Sequence, residues 1–177
     1  MPKPAFLVSA SELDAAGKEY ARAIPNAWLR AAFEESDATP VGDGAIDVRL
    51  SKSGPDVVVH GQAKAEVELP CARCLEPTRV TLAPHISVLM VPAAKMRDAD
   101  RKEHEMAAGE ADVLPYDGEN VVLDDLVRDD LLLEIPMIPL CSETCPGIAS
   151  AKRHDEPRAV DPRLAPLLAF KDEKKKE

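Results

Sequence analysis

The chain is poor in aromatic side chains: 3% of its 177 residues, namely one Trp, two Tyr and three Phe. A core of native density must therefore be assembled from Val, Leu, Ile and Ala. Long hydrophobic runs are also missing. The longest apolar stretch, Val80 to Ala94, is interrupted by Pro84, His85 and Pro92, and falls short of the roughly twenty apolar residues that span a bilayer as a helix. Nothing in the chain reads Gly-x-x-x-x-Gly-Lys-[Ser/Thr], Gly-x-Gly-x-x-Gly or Gly-x-Ser-x-Gly, which leaves nucleotide-cradling and serine-hydrolase chemistry without a handle. The four histidines, His60, His85, His104 and His154, are scattered and none belongs to a His-Glu-x-x-His pair. Asp124, Asp125, Asp129 and Asp130 fit the solvated face of an amphipathic helix better than a divalent-cation site. A non-enzymatic protein is the expectation.

Positive charge is in deficit, with 22 Lys and Arg against 32 Asp and Glu and a net charge of −10. The mean field repels phosphate backbones and attracts basic proteins. The imbalance is local. Glu103 to Glu134 holds eleven acidic residues against Arg128, whereas the residues after Ser150 hold eight Lys or Arg against six Asp or Glu. The opening Met-Pro-Lys-Pro-Ala-Phe-Leu-Val-Ser lacks both an apolar signal region and an Arg/Ser-rich transit composition, so a cytoplasmic setting with reduced thiols and no membrane contact is expected.

Sequence periodicity predicts a mixed architecture. Ser11-Glu-Leu-Asp14 resembles a capping box, and Leu13, Ala16, Tyr20 and Ile24 recur at helical spacing until Pro25, which predicts a first helix. Asn26 is placed to cap a second, short helix with Trp28, Leu29, Ala32 and Phe33 packing on a sheet. From Gly44 the period becomes two: Ala45–Leu50, Val57 toward Leu69, Thr78–Leu82 and Ile86–Val91 read as antiparallel strands, with Ser53-Gly-Pro55 as a turn. A mobile acidic insertion is expected near 93–118. The segment Asn120–Ile135 sets Leu123, Leu126, Val127, Leu131 and Ile135 on one helical face and ends at Pro136. The fold expected is α+β, a curved, partly open, barrel-like antiparallel sheet with flanking helices in one domain over 1–150. A polar tail with a short helix near 161–170 covers 151–177.

The four cysteines stand as two close pairs, Cys71-Ala-Arg-Cys74 and Cys141-Ser-Glu-Thr-Cys145. Each spacing lets two sulfurs turn toward one point, and two such pairs supply the closed four-thiolate shell of structural zinc. Three readings of the residues stand side by side: a shared zinc, reduced thiols of a decayed site, and a redox couple. Pro77 and the β-branched residues after Cys74 predict a turn and strand, where a thioredoxin-like site needs a helix N-terminus. Arg73, between two thiolates, would offset the −2 charge of a four-thiolate zinc centre, and Arg73 with Arg79 could form a small patch for an RNA or protein partner.

Taken in order, Leu-Pro-Cys71-Ala-Arg-Cys74-Leu, an acidic loop, Asp-Asp-Leu-Val-Arg-Asp-Asp-Leu-Leu-Leu-Glu-Ile-Pro-Met-Ile-Pro-Leu, Cys141-x-x-x-Cys145-x-Gly147 and Asp161-Pro-Arg-Leu-Ala resemble the bacterial YceD family, the large-ribosomal-RNA-subunit accumulation proteins. The resemblance implies a non-enzymatic factor for accumulation or processing of large-subunit ribosomal RNA. It implies one structural zinc on Cys71, Cys74, Cys141 and Cys145. The resemblance leaves room for nucleic-acid binding, while the net charge of −10 favours holding a basic ribosomal protein or RNA-processing enzyme, with large-subunit RNA contact limited to Arg73, Arg79 and the basic tail. The chain departs from the family pattern after Gly147, where Leu-Cys-Pro-x-Cys-Gly commonly follows and Ile148-Ala-Ser-Ala-Lys stands here. The alternative is a thiol-redox or zinc-responsive regulator using Cys71 and Cys74, and a third reading is a metal-free interaction domain.

Overall fold

The computed structural model describes residues 4–95 and 113–148. Its elements run β1 (Leu7–Ser9), a 3-10 turn (Ala10–Glu12), β2 (Lys18–Ile24), α1 (Asn26–Ala32), β3 (Thr39–Pro40), β4 (Gly44–Ser53), β5 (Asp56–Pro70), β6 (Pro77–Leu82), β7 (His85–Pro92), β8 (Val113–Tyr116), β9 (Asn120–Val122) and α2 (Asp124–Leu133). The chain divides into two compact units, Met1–Gly147 and Ile148–Glu177, and all of these elements belong to the first. The polar tail, its expected helix near 161–170 and most of the expected insertion near 93–118 lie outside the described residues.

β5 organises the molecule. Its fifteen residues alternate strictly, so Val57, Val59, Ala63, Ala65, Val67 and Leu69 face the core while Val58, His60, Gln62, Lys64 and Glu66 face away, as a strand with one solvated face requires. One edge of β5 is covered by β4 along Asp56–Lys64 and by β3 at Val67 and Glu68. The other edge is covered by β7 along Val57–Gln62 and by β6 along Ala65–Pro70. Both flanking partners are thus interrupted at the same level. On one side the break holds Gly42 at φ 96°; on the other it holds Pro84, whose carbonyl still accepts the Ala63 N–H at 3.2 Å. The strand order is β2-β4-β5-β7-β8, with β3 and β6 also on β5. The sheet is open, with no pairing between its β2 and β8 ends among the described residues.

At Gly61 β5 approaches β4 closely. A Cβ there would strike the Asp47 carbonyl and lie 2.6 Å from Val48 Cα. Gly61→Ala must push two paired backbones apart, and overpacking of this kind costs about 2 kcal/mol. A lowered urea midpoint checks this; an unchanged midpoint would mean that the strands separate freely.

Three sequence expectations are corrected. Residues 11–24 are not a helix. Asp14 closes a turn by accepting the Gly17 N–H at 2.9 Å, and Lys18–Ile24 then pairs antiparallel with β4, Lys18 to Leu50 through Ile24 to Gly44. Gly17 at φ 78° breaks any helix, and the alanines at 21 and 23 blur a period of two into one that resembles a helix. Second, the sheet is not wholly antiparallel, because β8 adds parallel to β7. This strand lies within the stretch expected to be a mobile insertion, and its Tyr116 hydroxyl donates to the Pro55 carbonyl at 2.5 Å. Third, the acidic helix begins at Asp124, since Asn120–Val122 pairs instead with β1.

α1 forms as expected, with Leu29 and Phe33 buried, but Asn26 is its first residue and not its cap. Asp43 Oδ1 caps it from a distance, accepting the Asn26 N–H at 2.8 Å. α2 buries Leu126, Val127 and Leu131 and leaves Asp125, Arg128 and Asp129 outside. Its first residue also fastens the start of the chain: Asp124 accepts N–H groups from Ala5 at 2.8 Å and Phe6 at 2.9 Å, and the Trp28 indole N–H at 3.2 Å.

Candidate metal centre

The two cysteine pairs arrive from opposite directions. Cys71 and Cys74 occupy the turn between β5 and β6, where the register ends at Pro70 opposite Pro77. Cys141 and Cys145 follow the link that leaves α2 through Pro136 and Pro139, residues that cannot continue a helix. The backbone joins the segments at one point, Ala72 N–H to the Pro139 carbonyl at 2.8 Å.

Cys71 Sγ lies 3.9 Å from Cys145 Sγ, Cys74 Sγ lies 3.7 Å from Cys141 Sγ, and all four sulfurs fall within 4.8 Å of one another. A tetrahedron with zinc–sulfur bonds of about 2.3 Å has edges of about 3.8 Å. A disulfide would bring two sulfurs to about 2.05 Å. The cluster therefore has the dimensions of a four-thiolate metal shell, and its donor set fits zinc. Among the described residues no other group of three or more His, Cys, Asp or Glu converges to ligand distance. His60 and His85 line a shallow depression on the outer sheet face, and His104 and His154 lie outside the described residues.

The loop around Cys71 is built to hold a thiolate. N–H groups of Cys74, Arg73 and Cys141 point at its sulfur and lower its pKa to about 6. The Glu76 N–H likewise favours a thiolate at Cys74, but burial and the sulfurs of Cys71 and Cys145 outweigh it and hold that thiol above its ordinary value. At Cys141 the hydrogen bonds with Cys145 and Cys74, together with burial, raise the pKa to about 12. Four thiols this close cannot all ionise without a cation between them. A divalent metal would supply that charge, and Cys71 is the ligand readiest to receive it.

The Cys71 and Cys141 shifts contribute to the pH profile of the metal-free protein. Folded Cys71 stays ionised down to about pH 6, against an ordinary value of 9 in the unfolded chain. Between those limits the unfolded state binds the extra proton, so stability rises with pH from 6 to 9. Cys141 stays protonated in the fold to about 12, so from pH 9 upward stability falls. Urea unfolding of metal-free protein should show maximal stability near pH 9. A profile that declines from 6 to 9 would contradict this account.

Arg73 sits at the junction. Its Nη1 donates to the carbonyls of Glu143 at 3.2 Å and Cys145 at 3.1 Å, so the guanidinium of the first pair binds the loop of the second. Gly147, at φ 79°, completes the fit, because a Cβ there would come within 3.3 Å of the Arg73 carbonyl. Arg79 lies further along β6, exposed and opposite Glu68. The sequence marks Leu75 only as the position where a glycine commonly follows such a pair, and does not show that the leucine itself takes the left-handed conformation, φ 64°. Nor does it reveal the Ala72–Pro139 contact, which depends on tertiary placement.

Residues 59–171, 113 of the 177, match the family model described as large ribosomal RNA subunit accumulation protein YceD. The match includes all four cysteines, Arg73 and Arg79. Uncharacterized proteins of Mycobacterium bovis and Mycobacterium tuberculosis are similar to this chain, 26% identical over 133 residues. That alignment takes in 70% of this chain and 59% of theirs, so the chain spans about three fifths of the length of the curated relatives it matches. No solved structure matches it.

Proposed function

The chain belongs to the YceD family, and on that premise we propose that it is a non-enzymatic factor for accumulation or processing of large-subunit ribosomal RNA, carrying one structural zinc. The convergence of four sulfurs at zinc-shell distances is the observation that carries the metal assignment. The family description names an RNA accumulation role and no reaction, in keeping with a sequence that offers no catalytic constellation.

A protein partner fits this chain better than bare RNA. Binding to phosphate backbones draws on clustered Lys and Arg, whereas this chain carries −10, and Arg73 Nη1 is bonded to the carbonyls of the second cysteine loop. The rest of the exposed Arg73 guanidinium, Arg79 and the Lys-rich tail are the candidates for direct RNA contact. The zinc braces the two segments and holds the surface that a ribosome-assembly or RNA-processing protein would read, in a cytoplasmic setting.

Depleting the protein in its host should lower the ratio of large-subunit to small-subunit ribosomal RNA; an unchanged ratio sinks the family role. Metal analysis of reduced protein should give about one zinc per chain, lost in Cys141→Ser. The thiol-redox reading would show itself as no metal and a reversible Cys71–Cys74 disulfide. Pull-down at physiological salt separates the partners: tight capture of naked ribosomal RNA with no protein would overturn protein recognition.

A further inference from the structure

Met137, Leu133, Ile138 and Leu75 are the most exposed large apolar side chains among the described residues, at 98, 83, 68 and 64%. None lies in the sheet. Leu133 closes α2, Met137 and Ile138 belong to the link from α2 to Cys141, and Leu75 follows Cys74. Of these, Met137 lines a groove of about 280 Å³ between that link, the end of β5 and the turn from α1 to β3. Ala38, Leu69, Ala72, Ile135, Met137 and Pro139 contribute its apolar lining. This volume lies below the roughly 300 to 1,000 Å³ of pockets for drug-sized ligands and suits a single side chain.

Carboxylates outnumber cations around the groove. Asp37 lines the groove, Glu34 and Glu35 are exposed just before it, and exposed Glu134 immediately precedes Ile135. The stretches Ala31–Val48 and Asp129–Ala151, which supply two of the three walls, contain no Lys or Arg. The third wall adjoins Arg73, whose Nη1 is already bonded to the Glu143 and Cys145 carbonyls. An apolar slot flanked mainly by carboxylates favours a segment with cations around one apolar residue.

We propose that this groove docks a Lys/Arg-rich protein segment that inserts one apolar side chain against Ala72, Ile135 and Met137 while its flanking cations meet Glu34, Glu35, Asp37 and Glu134. The inference rests on the protein-partner reading of the function and names the chemistry of that partner. The Ala72–Pro139 hydrogen bond and the cysteine cluster fix the link against β5, so the slot is shaped before the segment arrives.

The test uses the full zinc-loaded chain and two labelled synthetic peptides, Lys/Arg-rich and identical except for a central Leu or a central Ser. The Leu peptide should bind at least about tenfold tighter, since burying one such side chain removes its apolar surface from water. Met137→Ser with Ile138→Ser should abolish that advantage while zinc content stays at the wild-type level. Replacing Glu34, Glu35 and Glu134 with Lys should weaken both peptides and flatten their salt dependence. Equal binding of the two peptides, or indifference to the Met137→Ser, Ile138→Ser pair, overturns the proposal. So does concentration-dependent self-association lost in that pair, which would assign the groove to a second copy, or equal competition by a single-stranded oligoribonucleotide. Peptide binding reads the groove independently of cellular RNA, so an unchanged RNA ratio on depletion would remove the family role and leave the groove standing.

Discussion

Stripping the metal with a chelator should lower the thermal midpoint by about 10 °C, and returning zinc should restore it. A metal shared by the four sulfurs would join segments separated by positions 75 to 140, 66 residues, and closing a loop of that length removes chain entropy from the unfolded state worth about 4 kcal/mol. For a domain of this size each kcal/mol moves the midpoint by about 2 to 4 °C. Loss of the metal also leaves four mutually close thiols, of which Cys71 and Cys145 are buried. Cys71→Ser should reproduce the chelator effect and make the protein insensitive to further chelation. Restoration by zinc separates this outcome from a variant that merely fails to fold. A midpoint unmoved by chelation would favour a metal-free interaction domain.

Asp124→Ala should cost about 3 kcal/mol, because, of the three bonds its carboxylate accepts, the one from Ala5 is exposed, while the two part-buried ones, from Phe6 and the Trp28 indole, contribute about 1.5 kcal/mol each as bonds to a charged group. The clamp organises more than itself. Ala5 and Phe6 are held by it directly, Leu123 N–H returns to the Phe6 carbonyl at 2.9 Å, and β1 pairs with β9 through Leu7–Val122. Phe6 meets the Trp28 ring edge-on at 5.2 Å. Since Trp28 is the single tryptophan, its emission reports the clamp without a label. Asp124→Ala should shift that emission to the red and lower the urea midpoint, and Asp124→Asn, which keeps one acceptor oxygen, should fall between the two. An unshifted emission with a stability loss below about 1 kcal/mol would show that the N-terminal segment is held by apolar packing alone.

The two predictions differ in how far the sequence can supply them. Cys71, Cys74, Cys141 and Cys145 announce their grouping by spacing, and the alternation from Ala45 to Leu69 is strong enough by itself to specify strands. Lys18–Ile24 resembles a helix for a physical reason: a strand of alternating Ala and polar residues has little intrinsic preference, and its pairing with β4 supplies the stabilisation that propensity does not. β8 stays hidden because its run, Val113–Tyr116, is only four residues long and finds its partner across a long sequence gap.

By itself the sequence determined which atoms could bind a metal, which face of β5 would be buried, and that the surface would be acidic, since each follows from residue type and local period. Only the tertiary structure decided that the two cysteine pairs share one point, that Arg73 Nη1 bonds the second loop, and that Asp124 holds Ala5 and Phe6. Those depend on distances between residues about 70 to 120 positions apart, which the cooperative packing of the whole sheet fixes and no local preference encodes.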